Sequence, residues 1–271
     1  MAFDFDTMGK DLLGLARELG GPGRPVRWEQ LTWPEAGAAA QANQAVIVPV
    51  GAVEQHGPHL PLGVDSYIGE AVAVCVSALT GVPVVPTLSY GVSASHGDFA
   101  GTISLRPETM IGLVEDIIES LYERSVRQFV LLNGHIWNSG CLDVSAEKLR
   151  VRHRDARVRS LGYVTMYPGS EVDGHVRYGR ALMHANFFET SVMLYLYPEL
   201  VRMDRATSHR DVDSFWDYRM DQVSETGVWG RDVAEANPQH GKAEFERCVI
   251  TTARAVAAAI REPWPDPKHR P

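Results

Sequence analysis

Apolar residues along this chain fall into two patterns: short continuous runs, and stripes that recur every three or four positions. Ala45 to Val50 is a run rich in β-branched residues closed by Gly51, the pattern of a strand buried on both faces. Ser66 to Thr80 follows with the length of a helix, giving one β-α unit. A second is predicted at Val82 to Leu88 and Pro107 to Arg124, where Met110, Leu113, Val114, Ile117, Ile118 and Leu121 form a core-facing helical stripe. Phe129 to Leu132 with the helix Ser139 to Arg152 makes a third, and Arg157 to Val164 predicts a fourth strand before a helix near Phe188 to Tyr197. Asp6 to Leu19 and Glu244 to Arg261 read as terminal helices. Alternating β and α elements imply an α/β fold, a parallel sheet with helices on both faces.

With 271 residues and no Ser-rich or charge-block linker, the pattern predicts a single domain over 1–271, with a frayed Pro-rich tail at 263–271. The 26 basic against 34 acidic residues give a net charge of −8, which argues against a nucleic-acid partner. Cys75, Cys141 and Cys248 form no C-x-x-C pair and suit a reducing, cytoplasmic compartment. The chain shows neither a signal peptide pattern nor a run apolar enough to predict a membrane span.

In open α/β sheets ligands bind beyond the carboxyl ends of the strands, so the loops there carry the chemistry. These loops hold Glu54, His56 and His59 after the first strand, His96 and Asp98 after the second, and His135 after the third, with Asp65 ahead of a helix. Glu54 and His56 are two apart, so in an extended segment both project to one side. Mixed imidazole and carboxylate groups suit divalent ions, and a shared carboxylate, for which Asp65 is the candidate, would hold two ions close together. His184 and Glu189 are five apart, about 140° on a regular helix. Either His184 lies in the loop before that helix, or only one of the pair serves the site, the other being a surface or capping group; Asn186 between them is a further candidate. Trp137, so close after His135, is a candidate for the pocket wall. Arg106, Arg177 and Arg180 are read as solvated surface charges. No G-x-S-x-G elbow, G-x-G-x-x-G fingerprint or Walker A loop occurs, which sets aside serine hydrolase and nucleotide-binding readings.

The run Val48-Pro-Val-Gly-Ala-Val-Glu54-Gln-His56-Gly-Pro-His-Leu-Pro-Leu-Gly-Val-Asp65 resembles the creatininase (creatinine amidohydrolase) family. The resemblance continues through Gly101 to Leu105, Leu132-Asn-Gly-His135, His184 with Glu189-Thr-Ser191, and Gly227-Val-Trp-Gly230, spanning about Trp28 to Ile250. It implies a Rossmann-like α/β domain holding two divalent metal ions per chain, zinc, manganese or iron. Glu54, Asp65 and His135 would hold one ion, and His56 with Asp65 part of the other. The resemblance further implies that His184 is the catalytic histidine, carrying a proton to the leaving nitrogen, in a homo-oligomer, often a hexamer.

The chain also departs from the family pattern. Creatininase has a Glu at the position of Trp137, so the second ion is expected to draw on Glu189, as in other members. It also has tryptophans in the loop before His184, where Thr165 to Met183 has none, so the substrate is expected to be an amide other than creatinine. Trp137 and His96 are the expected substrate-binding residues. The resulting reading is a dinuclear-metal hydrolase of a small-molecule amide, cyclic amide or formamide acting through metal-activated water. The alternatives are a family-type metallopeptidase processing a short peptide and a non-catalytic metal-binding protein.

Overall fold

A computed structural model of the chain describes residues 10–162, 184–209 and 218–264. Strand β1 (Ala45–Val50) lies between β2 (Gln128–Asn133) and an irregular edge segment, and β3 (Arg157–Gly162) continues the sheet beyond β2. The three strands pair in parallel, with Ala45 opposite Gln128 and Gln128 opposite Arg157. The sequence-predicted segments 6–9, 163–164 and 265–271 lie outside the described residues, as do Arg177 and Arg180.

The continuous apolar runs have a direct cause in the two-residue period of a strand. Ala45 and Ile47 of β1 and Val130 and Leu132 of β2 face one core, while Val46, Val48, Val50, Phe129 and Leu131 face the other. The first core is closed by helices α1 (Lys10–Leu19), α3 (Val64–Thr80), α6 (Phe187–Leu196) and α7 (Pro238–Arg261). The second is closed by α2 (Trp33–Asn43), α4 (Pro107–Tyr122) and α5 (Ser139–Arg152). On α4, Met110, Val114 and Ile118 are the buried apolar residues of the stripe. No helix among the described residues is long and apolar enough to cross a membrane.

Two elements differ from the sequence reading. Val82 to Leu88 makes only isolated parallel bridges to β1, Val84 to Ile47 and Leu88 to Val50. Pro83 and Pro86 have no N–H to give a ladder, so this segment pairs through Pro83 O, Val85 N and Leu88 instead of forming a regular strand. Helix α2 has no apolar stripe, being mostly alanine and polar residues, and its signal is the start: the Thr32 N–H and hydroxyl both donate to the Glu35 carboxylate, at 2.7 and 2.6 Å.

Chain order places the site. From β1 the chain passes through α3 to the edge segment on one side, then through α4 to β2 on the other. The loops leaving β1 and β2 therefore diverge and open a crevice beyond their carboxyl ends.

Candidate metal centre

Glu54 and His56 sit in the loop leaving β1, which is closed on itself by Glu54 N–H donating to Leu62 O at 2.9 Å. Asp65 is in the first turn of α3, where the helix dipole favours an anion. His135 follows β2 through Gly134, whose N–H donates to Val50 O at 2.7 Å. A Cβ on Gly134 would stand 2.5 Å from the Asp65 carbonyl oxygen, so glycine is what lets the two loops close on each other.

His184 lies before α6, its N–H and C=O both paired with Trp229 at 2.9 Å. Ala185 takes a left-handed φ of 52°, and Asn186 caps α6 by accepting from Glu189 N at 2.9 Å. The chain thus turns between His184 and the helix, and both His184 and Glu189 reach the cluster, the first of the two alternatives left open by their spacing.

The geometry divides into two triads that share Asp65. His135 Nδ1 is 2.9 Å from Asp65 Oδ2, and His135 Nε2 is 3.2 Å from Glu54 Oε2. His56 Nε2 is 3.4 Å from Asp65 Oδ1 and 3.9 Å from Glu189 Oε1. Glu54, Asp65 and His135 form one set of donor atoms within 4.8 Å of one another, and His56, Asp65 and Glu189 form another. Glu54, His56 and His184 make a third set, with His184 Nδ1 3.4 Å from Glu54 Oε1. His56 Nδ1 lies 3.0 Å from the Glu54 carbonyl oxygen, so when the ring is neutral that nitrogen donates and Nε2 keeps its lone pair for the site.

Glu54 and His56 are 1% exposed and Asp65 3%, yet Glu54 Oε2, His56 Nε2 and Asp65 Oδ2 have no well-directed hydrogen bond and meet only the ion-pair contacts just described. Burying polar atoms so poorly satisfied is costly, and here three such atoms face one space with the oxygen and imidazole chemistry that divalent zinc or manganese accepts. The residues therefore fit a metal centre.

Electrostatics in the metal-free protein show how tightly these groups are coupled. Burial pushes the Glu54 carboxyl up to about 7 against the pull of His135. Burial opposes charge on His56, but Asp65, Glu189 and Glu54 outweigh it and raise it to about 10. His135 rises to about 9, as Glu54 and Asp65 likewise overcome its burial. Asp65, although buried, is held well below the usual carboxylate range by His135 and His56. Burial raises Glu189 and lowers His184 well below the ordinary imidazole value, with His56 and His96 adding repulsion.

The remaining candidates take different places. His96 is buried inside the site, with Nδ1 3.4 Å from Glu54 Oε1 and its ring 4.5 Å from that of His184. His59 pairs instead with α6, its Nε2 2.9 Å from Thr190 Oγ1, and burial lowers it to about 4. Trp137 is half-buried in the turn after His135, and Asp98 points to the surface, paired with Arg219. Arg106 is exposed at the start of α4. The sequence reading passed over Gln55, whose carboxamide is at the centre of the site's hydrogen bonds. Its position between Glu54 and His56 was the available signal, but a neutral amide does not announce chemistry.

Comparison with known proteins gives a consistent picture. The family model described as Creatininase: Creatinine amidohydrolase matches residues 29–256. The chain is 35% identical over 257 residues to creatinine amidohydrolase of Pseudomonas putida, covering 87% of this chain and 96% of that protein. It is 33% identical over 242 residues to the mycofactocin precursor peptide peptidase of Mycobacterium tuberculosis, covering 82% and 88%. Two solved structures of creatininase, one a mutant described as Zn-Zn type and one described as creatininase Mn, each align with a TM-score of 0.75 at 32% identity. Each covers 88% of this chain and 100% of its own.

Proposed function

The chain belongs to the creatininase (creatinine amidohydrolase) family, and from that premise we propose a dinuclear-metal hydrolase cleaving a non-peptide C–N bond in an amide, cyclic amide or formamide. The observation that carries this reading is Asp65, whose two oxygens face different histidines, Oδ2 toward His135 and Oδ1 toward His56. Glu54, Asp65 and His135 would hold one ion, and His56, Asp65 and Glu189 the other, zinc or manganese being the metals named for the related structures. When bound, such ions lower the pKa of water toward neutrality and polarise a carbonyl.

The chain's own groups do the rest. His184 Nε2 lies 2.6 Å from the Gln55 carbonyl oxygen, to which it donates, so Nδ1 faces the cluster with its lone pair. At that atom His184 takes a proton and returns it to the leaving nitrogen. His96 and Trp137 border the substrate, His96 from within the cluster and Trp137 from the turn after His135. The exposed Trp33 and Ile103 offer apolar surface to a second copy, in keeping with a homo-oligomer.

Elemental analysis of protein purified without chelator tests the centre. About two ions per chain, lost in Asp65→Ala, is the expected result. A wild type that neither holds nor rebinds zinc, manganese or iron would move the weight to a non-catalytic role. The similarity to the mycofactocin precursor peptide peptidase favours a second reading, hydrolysis of a short peptide. Turnover of a small-amide panel against a peptide panel separates the two.

A further inference from the structure

Every hydrogen-bonding group of the Gln55 side chain is used within the site. Its Oε1 accepts from Gly57 N at 2.9 Å. Its Nε2 lies 3.1 Å from Gly227 O, 2.9 Å from His96 Nδ1 and 3.0 Å from His184 Nε2. An amide nitrogen has two protons, so it cannot serve all three. His184 Nε2 is a donor, because it also lies 2.6 Å from the Gln55 carbonyl oxygen, which can only accept. The two amide protons therefore go to Gly227 O and His96 Nδ1. That places the proton of neutral His96 on Nε2, and the proton of neutral His184 on Nε2 as well.

The backbone is built around this amide. Gly227 has a φ of 75°, and a Cβ there would stand 2.0 Å from Gln55 Oε1. Two residues on, Trp229 pairs with the main chain of His184. By tying Gly227 to the loop of Glu54 and His56, the carboxamide fixes the segment that bridges to His184 relative to the carbonyl that accepts its hydrogen bond.

We propose that Gln55 is a positioning residue that sets the tautomers of His96 and His184, leaving the Nδ1 lone pair of His184 turned toward Glu54. The proposal rests on the reading of His184 as the proton carrier, but its signature can be measured without any substrate.

The test uses the zinc-loaded full chain with 15N-labelled histidine, in which two-bond 1H–15N correlations distinguish the two neutral tautomers. Wild type is expected to show both His96 and His184 protonated at Nε2. In Gln55→Glu the oxygen replacing the amide nitrogen can only accept, so His96 moves its proton to Nδ1. Gln55→Met keeps the length, loses the donor and moves His96 the same way. Metal content stays at the wild-type level and KM is little changed, while kcat falls by about 10- to 100-fold, the usual effect of removing a supporting hydrogen bond beside a metal site. His96 protonated at Nδ1 in wild type, or unmoved in both variants, overturns the proposal. If no amide is turned over by wild type while the spectra show the expected tautomers, the hydrolase reading fails and the positioning role stands.

Discussion

Adding zinc to chelator-stripped protein should release between about two and three protons per chain near pH 7. The magnitude follows from the site: His56, raised to about 10, and His135, raised to about 9, are both protonated there, and each must become neutral to ligate. Glu54, raised to about 7, adds roughly half a proton. Apparent affinity should therefore climb with pH, by about tenfold per unit for each ion from the one histidine it engages and about a hundredfold for the pair, and level off above about pH 10. Calorimetric titration at one pH in two buffers of different ionisation enthalpy counts the protons directly. Zinc binding with no proton release near pH 7, or with proton uptake, would refute the reasoning. The same groups set the stability of the metal-free protein. A histidine whose folded pKa lies above its unfolded value of about 6.5 contributes stability that is complete below that value and lost as pH rises through the folded one. Loss from His56 and His135 therefore spans from about 6.5 to 10, and the thermal midpoint of stripped protein should fall across that window.

Three substitutions probe separate parts of the molecule. His184→Ala should retain metal by elemental analysis while kcat falls by about 10²- to 10⁴-fold, and unchanged turnover would remove it from the proposed chemistry. Gly134→Ala forces a Cβ to 2.5 Å from the Asp65 carbonyl, so it should cost about 1–3 kcal/mol in urea unfolding and reduce the metal content. Phe129→Ala empties a fully buried position of the second core and should cost about 3–5 kcal/mol, with metal stoichiometry unaffected in the folded fraction.

The elements most legible in the sequence are those whose residues have one environment to satisfy. β1 and the Phe129 to Leu132 stretch of β2 are apolar without a break because the sheet is covered on both sides, and α4 shows its stripe because one face alone is buried. Hidden elements owe their form to local chemistry that periodicity does not report, as α2 does to its Thr32–Glu35 start and the edge segment to its two prolines. At the site, Glu54, His56 and Asp65 were legible because they share one short loop and the helix after it. The relation of His184 to Glu189 was not, because it depends on a left-handed turn at Ala185, a residue with no propensity for one. Gln55 escaped because its importance comes from partners 41, 129 and 172 residues away.

The parallel register has a further consequence for how the molecule is made. Ala45 pairs with Gln128 only after a long crossover through α3 and α4, so no contact of this sheet among the described residues is local, and closing such loops slows folding. Glu54 and Asp65 are synthesised well before His135, and Glu189 later still. A ribosome-bound chain therefore exposes carboxylates and imidazoles in unordered loops before the partners that complete either triad exist. An ion captured early would hold an incomplete set, and delivery after the sheet has closed avoids that trap.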